Sequence, residues 1–421
     1  MTIIGKKVSM FRQLGSFIRG RIPGQLIIQL TDHCNASCPQ CGMRRSSSFR
    51  RSTLSLDDGR KIIDHAAASG VSALSLTGGE PFLLQRELIT LIKHAGAAGI
   101  PYIRTGTNGF MFMDHNRPGF LGRVAELADA LAATTLHNFW ISVDSSLAEV
   151  HERMRGLPGV IRGIEKALPI FHERGIYPSA NLGITRNVCP PRHDSNGLSR
   201  PVDGDDYRAG FRNFFARLID MGFTIANACY PMSIAEVSGE SLAAVYEATA
   251  DDDLVRFTAE ETRVILNALR ETIPEYRSRI RIFSPLSSLR ALERQHSGQG
   301  DNCQPCRGGS DFFFIDAASG DTYPCGYRGN DNLGKFWNLD LKKSPLSPSC
   351  RQCDWECFRD PSELLGPFAD LFSRPVTAIC DVLADPAATL LKLSDLRYYL
   401  ACDLFNGRLA PDFRKLASSA G

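Results

Sequence analysis

The chain has 421 residues and is 43% hydrophobic, a composition that is typical of a globular protein and excludes a disordered one. Its 48 basic residues nearly balance 46 acidic ones, so the chain lacks the overall positive field that would attract nucleic acid. No apolar run approaches the ~18 residues that a membrane-spanning helix needs.

Residues 1–24 are basic and amphipathic, and they lack the continuous apolar core of a secretory signal. Phe11, Leu14, Phe17 and Ile18 fall on one side of a helical projection. We interpret this lead-in as a short helix packed on the main domain. A membrane-surface anchor is the less favoured alternative, because a single short apolar stripe binds lipid weakly.

From residue 25 onward, short apolar strands alternate with longer helical segments. Capping boxes predict helix starts at Ser55 (with Asp58) and at Thr258 (with Glu261). Such alternation predicts parallel βαβ units and an α/β fold class. The right-handed crossover rule leaves a doubly wound sheet or a full or partial β/α barrel. Six strands are predicted, at residues 25–31, 73–77, 102–107, 138–143, 180–185 and 224–229.

Later segments have a different character. Residues 187–206 are rich in Pro, Gly, Asp and Ser, which predicts either a lid over the barrel mouth or a disordered insertion. After a polar linker, residues 312–315 and 322–325 flank a turn and predict a hairpin. Residues 361–421 have a helical pattern, in which we interpret Cys380 and Cys402 as small buried residues.

The 13 cysteines are clustered and odd in number, which indicates metal binding in the cytosol rather than a disulfide framework. Cys34, Cys38 and Cys41 directly follow the first predicted strand. Three thiolates this close repel one another and need a cation or a cluster. With three ligands in one loop, one coordination position is left open for chemistry, although zinc with a remote fourth ligand remains an alternative.

The second predicted strand ends in Gly78-Gly79-Glu80-Pro81. With this motif one βα unit after the three-cysteine loop, the sequence resembles the radical S-adenosylmethionine (SAM) enzymes over residues 25–357. The resemblance implies a partial (β/α)6 TIM-type barrel over residues 25–296. It also implies that the three cysteines bind three irons of a [4Fe-4S] cluster and that SAM chelates the fourth. Reductive cleavage of SAM then yields a 5′-deoxyadenosyl radical that abstracts hydrogen from the substrate.

The resemblance further implies which residues bind SAM. The glycines and Glu80 would hold its amino end, and polar residues after the third and fourth strands would contact its ribose or carboxylate. A helix cap or a surface ion pair is the alternative role for those polar residues. Gln40 departs from the family pattern, which usually has an aromatic residue near the adenine. The implied SAM-binding residues are Gly78, Gly79, Glu80, Asn108, Ser142, Asp144 and Arg155.

A second cluster of six cysteines lies in a segment, residues 303–360, that we expect to form a small hairpin and loop domain. The spacing from Cys306 through Gly320 to Cys325 resembles the SPASM or twitch extensions, which hold auxiliary iron–sulfur clusters. This resemblance implies one auxiliary [4Fe-4S] cluster. Two clusters, or a structural zinc ribbon, remain open. The implied ligands are Cys303, Cys306 and Cys325, with a fourth from Cys350, Cys353 or Cys357.

Three functions are compatible with these motifs. The preferred one is radical chemistry on a small molecule, with Cys189 or Cys229 as a candidate hydrogen donor and a flavodoxin or ferredoxin as electron donor. The alternatives are a peptide-modifying maturase and a non-catalytic, metal-stabilised scaffold. The short lead-in, residues 1–24, is too small for a peptide-leader-binding domain, which favours a small molecule. The substrate itself cannot be read from fold-level similarity.

Overall fold

The structure is a computed structural model that describes residues 15–36, 38–41, 51–189, 202–231, 245, 253–298, 304–341, 348–352 and 354–419. Cys303, Cys353 and most of the predicted lid at 187–206 lie outside these residues.

The strands of the described chain form one sheet of order β7-β6-β5-β4-β3-β2-β1-β8-β9. Neighbouring strands from β7 to β8 are parallel, and only β9 runs antiparallel to its neighbour. This confirms the α/β class and the parallel sheet expected of a partial barrel. The strands are β1 Gly24–Thr31, β2 Val71–Gly78, β3 Tyr102–Thr107, β4 Leu136–Ser142, β5 Ser179–Gly183, β6 Ile225–Cys229, β7 Arg281–Ile282, β8 Phe312–Ile315 and β9 Thr322–Tyr323.

Helices follow most strands, as βαβ units require. The predicted caps form: the Ser55 side chain accepts the Asp58 N–H, and Thr258 and Glu261 make a complete capping box. The helices are α1 Leu56–Ala68, α2 Gln85–Ala97, α3 Phe120–Ala132, α4 Ala148–Arg155, α5 Val160–Glu173, α6 Gly204–Met221, α7 Ala259–Tyr276, α8 Leu286–His296, α9 Glu356–Ser373, α10 Pro375–Ala384, α11 Pro386–Ala401 and α12 Phe413–Ser419.

The two faces of the sheet differ in polarity. Side chains such as Leu74, Ile103 and Leu182 point to the helices and are fully buried in the main core. Alternate positions on the central strands are polar and partly exposed, for example Arg104 on β3 and Asn181 on β5. We call this second face, with the space it borders, the lumen.

The predicted hairpin is continuous with the barrel sheet. β8 pairs in parallel with β1, with Gln25 opposite Phe312 and Ile28 opposite Ile315. The hairpin therefore extends the sheet on the side of β1, away from β2. Alternating hydrophobicity predicts a strand but cannot identify its partner.

The structure adds to the sequence-based expectations and corrects one of them. Between β4 and β5 the chain forms two helices: Gly156 ends α4 and Gly159 precedes α5, both with positive φ. The strand β7 was not predicted, since two residues are too short for a periodic signal. Cys402 is fully buried as expected, but Cys380 is exposed, because α10 turns its apolar side outward.

Buried polar contacts hold the C-terminal helices against the barrel. Asp395 of α11 pairs with Arg277 at 2.7 Å, and both side chains are almost fully buried. The Tyr398 hydroxyl accepts the N–H of Ile282 at 2.9 Å. Among the described residues, no helix combines the length and the apolar character that crossing a membrane would require.

Candidate active site

The cysteine loop and the SAM-binding candidates meet at one edge of the sheet. Parallel strands present their carboxyl ends on the same side, and barrel active sites lie on that side. The three-cysteine loop follows β1, Glu80 follows β2, Asn108 follows β3 and Asp144 follows β4. The fold thus brings together the residues that the motifs singled out.

The three thiols of the loop are close enough to influence one another electrostatically. Cys38 is buried, Cys41 is partly buried and Cys34 is exposed. Burial raises the pKa of Cys38 to about 11, Arg155 opposes this shift, and the charges of Asp144 and the other two cysteines add to it. Thiols in such a setting deprotonate only when a metal compensates their charge.

The donor set fits a [4Fe-4S] cluster. Sulfur ligands of such clusters commonly accept hydrogen bonds. Here Cys34 Sγ accepts the Ala36 N–H at 3.4 Å and faces the Asn108 amide at 3.7 Å. In the described residues no three His, Cys, Asp or Glu side chains are arranged to hold a single metal ion. A cluster sets a different requirement, one thiolate for each of three irons, which three separated thiols can meet.

The two glycines at the end of β2 allow a close backbone approach to the cysteine loop. A Cβ on Gly78 would lie 2.1 Å from the Thr31 carbonyl oxygen, and one on Gly79 would lie 2.2 Å from the His33 oxygen. Gly79 donates its N–H to Thr31 at 2.7 Å, and Glu80 donates to His33 at 2.8 Å. The motif therefore fixes the backbone that enters the three-cysteine loop.

We predict that Gly79→Ala prevents assembly of the loop. A methyl group has no room beside the His33 carbonyl, so the end of β2 must separate from the loop. Iron bound after anaerobic reconstitution should fall at least about tenfold relative to the unsubstituted protein. Gly122→Ala, in helix α3 with no atom within 4 Å of the added carbon, is the matched control and should load iron normally.

Glu80 joins the ends of β2 and β3. Its carboxylate accepts the N–H of Phe82 at 3.0 Å and the N–H of Asn108 at 2.7 Å. Burial raises the pKa of this carboxyl to about 7, with the two backbone N–H groups opposing the shift. The bonds orient the carboxylate at the sheet edge. Its contact with the SAM amino group remains a prediction.

A buried ion pair lies beside the cysteine loop. Arg155 Nε donates to Asp144 Oδ2 at 2.6 Å, and Gly183 donates its N–H to the other carboxylate oxygen at 3.0 Å. Burial alone would raise the pKa of Asp144, but Arg155 holds it below the usual range. Arg155 interacts electrostatically with Cys38 and Cys41, so it places a positive charge beside the thiolates.

Gln40 connects the loop to this pair. Its amide donates to Asp144 Oδ2 at 3.2 Å, while its Oε1 is buried without a hydrogen-bond partner in the described residues. His151 accepts the Asp144 N–H at 3.0 Å, and burial lowers the pKa of this imidazole to about 4, so it is neutral near pH 7. Ser142 is buried at the end of β4, next to this group in sequence.

The second cysteine cluster forms a separate pocket. Cys306, Cys325 and Cys350 line it together, around a space of about 370 Å³ that includes its opening to solvent. The Cys306 N–H donates to the Cys350 carbonyl at 2.8 Å. The Cys306 and Cys325 sulfurs each accept a backbone N–H, at 3.5 and 3.4 Å. Burial raises the pKa of these two thiols to about 11 and about 12.

Cys357 lies apart from this pocket lining. Its thiol donates to the Glu356 carboxylate at 3.4 Å, and its pKa is raised by burial and by that carboxylate. Cys229 interacts with the same carboxylate, so both thiols lie near Glu356. Cys229 also accepts the Asn181 amide at 3.3 Å. Cys189 is buried in the main apolar core instead.

Sequence reasoning did not identify Arg104 or Glu356. Arg104 is the charged residue of a predicted strand, and this position was the available signal. Burial lowers its pKa, and its Nε has no hydrogen-bond partner in the described residues. Both residues contribute charge to the lumen, and Glu356 raises the pKa of Arg104.

Residues 28–187 match the family model described as the radical SAM superfamily. Over these residues the chain is similar to the radical SAM superfamily, and it is an enzyme; the family implies a [4Fe-4S] cluster and SAM as cofactors.

Curated relatives act on small molecules and on peptides. An AdoMet-dependent heme synthase of Methanosarcina barkeri is 22% identical over 85% of this chain and 91% of that protein. A PqqA peptide cyclase of Ruegeria pomeroyi is 25% identical over 43% of each chain.

Solved structures share the fold. SuiB of Streptococcus suis bound to the precursor peptide SuiA has a TM-score of 0.50 at 15% identity, covering 79% of this chain and 67% of SuiB. Native anSMEcpe with bound AdoMet and the Cp18Cys peptide has a TM-score of 0.50 at 14% identity, covering 88% of this chain and 99% of that one.

Proposed function

We propose that the protein cleaves SAM reductively at a [4Fe-4S] cluster held by Cys34, Cys38 and Cys41, and that it abstracts hydrogen from a small molecule in the lumen. The observation that carries this proposal is the convergence of three thiols with Arg155 at the carboxyl edge of a parallel sheet. Three ligands leave one iron for SAM. A flavodoxin or ferredoxin in the cytosol would supply the electron.

When bound, the cluster and SAM supply a 5′-deoxyadenosyl radical. The residues of the protein orient the bound groups and supply charged side chains around them. Arg155 offsets negative charge beside the thiolates, and Asp144 fixes the position of Arg155. Glu80 holds the ends of β2 and β3 together through its two backbone hydrogen bonds. Its carboxyl group, whose pKa is raised, would bind the amino group of SAM. Such prepositioned charge requires no reorganisation during reaction.

Incubation of the reconstituted protein with SAM and dithionite tests the proposal. We expect 5′-deoxyadenosine and methionine in equal amounts, even without substrate. A fully iron-loaded protein that forms no 5′-deoxyadenosine would contradict the catalytic proposal and favour the scaffold alternative.

The pocket of Cys306, Cys325 and Cys350 supports one auxiliary [4Fe-4S] cluster. Backbone N–H donors to the sulfurs and the burial of the thiols are features of such sites. Cys303 and Cys353 are the remaining ligand candidates, while Cys357 is the less favoured fourth ligand because its thiol is directed to Glu356.

Iron content tests the auxiliary cluster. We expect about eight irons per reconstituted chain, and Cys325→Ala should leave about four while SAM cleavage persists. About four irons in the unsubstituted protein would eliminate the auxiliary cluster. About twelve would indicate two auxiliary clusters, and zinc in place of iron would support the zinc ribbon.

The lumen supports a polar small molecule as substrate. Arg104, Asn181 and Cys229 are only partly buried and lie on the lumen face of their strands rather than among the apolar core residues. Cys229 is the better placed candidate hydrogen donor, since Cys189 is in the apolar core. A peptide is the second candidate, favoured by the similarity to SuiB in its peptide complex.

Fractionated cell extract distinguishes the two substrate classes. If the substrate is a small molecule, a low-molecular-mass ultrafiltrate should stimulate 5′-deoxyadenosine formation and keep this effect after protease treatment. Stimulation that protease abolishes would instead identify a peptide.

A further inference from the structure

Arg104 is a charged side chain on the lumen face of β3 to which the described residues offer no direct partner. Its Nε is shielded from solvent and donates to none of them. Within the described ranges no carboxylate forms an ion pair with Arg104, and the charge of Glu356 acts on it only at longer range. Its neighbours in the sheet, Ser75 on β2 and Asn138 on β4, are neutral. A guanidinium stays charged in a protein, so keeping it unpaired in the interior costs free energy.

The same face of the sheet bears an aromatic side chain above Arg104. Gly106 is two residues after Arg104 and therefore presents the same side of β3. It lies opposite Trp140 in the register of β3 with β4. A Cβ on Gly106 would lie 2.0 Å from Trp140 Nε1, so the indole lies across Gly106 on the lumen face. Because Trp140 is only partly buried, its ring is available to a molecule in the lumen.

Other parts of the chain cover the lumen near the amino ends of the strands. The Gln25 amide donates to the Cys357 carbonyl at 3.2 Å, and the Asn138 amide donates to the Phe405 carbonyl at 3.2 Å. These contacts hold the start of α9 and the segment after α11 against the first residues of β1 and β4. Arg104 is three residues before the end of β3, about 10 Å from the edge that bears the cysteine loop. It therefore lies towards the covered end of the lumen.

We infer that Arg104 binds an anionic group of the substrate, a carboxylate or a phosphate, and that the rest of the substrate extends along the Trp140 indole towards the cysteine loop. The inference rests on the proposed function, since it names the substrate class of the same lumen. A guanidinium donates two parallel hydrogen bonds to a carboxylate or a phosphate. An indole offers a broad apolar face on which the body of a small molecule can pack. The anionic end is thus held away from the radical, and the opposite end meets it.

Stability in the absence of substrate is the first test. Arg104→Met keeps the apolar stem and removes the unpaired charge, so the midpoint of urea unfolding of the iron-loaded protein should rise. Arg123→Met, at an exposed arginine of α3, is the matched control and should change the midpoint little. A midpoint that does not rise in Arg104→Met would show that the guanidinium already has a partner in the protein, and it would overturn the inference.

Substrate dependence is the second test. The probe is a low-molecular-mass ultrafiltrate of cell extract that has been bound to a strong anion-exchange resin and eluted with salt. It should stimulate 5′-deoxyadenosine formation by the unsubstituted protein and by Arg123→Met. In Arg104→Met the stimulation, measured against that variant's own substrate-free rate, should fall at least about tenfold. Arg104→Lys should keep part of it, because it retains the charge but not the paired donors.

The outcomes of the second test separate the sources of the anion. If phosphatase treatment of the eluate abolishes the stimulation, the group is a phosphate ester; stimulation that persists identifies a carboxylate. Stimulating material that passes through the resin, or that acts equally on Arg104→Met, would overturn the inference while leaving the proposed function intact. An unsubstituted, iron-loaded protein that forms no 5′-deoxyadenosine with any fraction would contradict the proposed function and the inference with it.

Discussion

Cys38→Ala is expected to abolish SAM cleavage. Cys38 is the most buried thiol of the loop. It is also the loop cysteine with which the positive charge of Arg155 interacts most strongly. Its removal leaves two thiolates for three irons, and a [4Fe-4S] cluster with two protein ligands is not retained. We expect about four fewer irons per chain and at least a ~10³-fold fall in 5′-deoxyadenosine formation.

Cys380→Ala is the matched control for this experiment. Cys380 is an exposed thiol on α10, far along the chain from both cysteine clusters. The control variant should keep its full iron content and its full rate of SAM cleavage. A Cys38→Ala protein that still loads all its iron and cleaves SAM would show that the loop is not the cluster site.

Asp144→Asn is expected to destabilise the protein strongly. Asp144 is fully buried and its partner Arg155 is 12% exposed, so the substitution removes the carboxylate that pairs with this buried guanidinium. Breaking such a pair costs about 3–5 kcal/mol of the free energy of unfolding. The midpoint of urea unfolding, measured on reconstituted protein of matched iron content, should fall accordingly.

A double-mutant cycle separates the contribution of the Asp144–Arg155 ion pair to stability from that of the surrounding contacts. Asp144→Asn combined with Arg155→Met removes both charges, so it should recover most of the stability lost in the single variant. It should still bind SAM poorly if Arg155 contacts the cofactor. A loss below about 1 kcal/mol for Asp144→Asn would show that water or another group compensates Arg155.

Local sequence signals were sufficient to predict those elements and motifs that neighbouring residues alone determine. The strand at residues 102–107 was predicted with the observed bounds of β3, because the pattern of the strand and its flanking residues define it. The three-cysteine loop and the Gly-Gly-Glu motif were likewise visible as spacings along the chain, and the fold places them side by side.

Long-range geometry was not available from the sequence. The approach of Gly79 to the His33 carbonyl could not be predicted, since only the pairing of β1 with β2 brings these residues together. Cys357 has metal-ligand spacing, yet its thiol is directed to Glu356 because it lies on the first turn of α9. Cys380 has the apolar pattern of a buried helix, and a pattern cannot show which side of a helix faces the core.

The pairing of β1 with β8 has a consequence for biosynthesis. β1 bears the three-cysteine loop, but its outer hydrogen-bonding edge is covered only by a strand that begins at Phe312. During synthesis that edge stays open until nearly three quarters of the chain has been made, and an open strand edge is a template for aggregation. The segment matched by the family model is therefore not expected to behave as a well-folded fragment. Insertion of the iron–sulfur cluster should follow completion of the chain, since β8 must first close the sheet beside the loop.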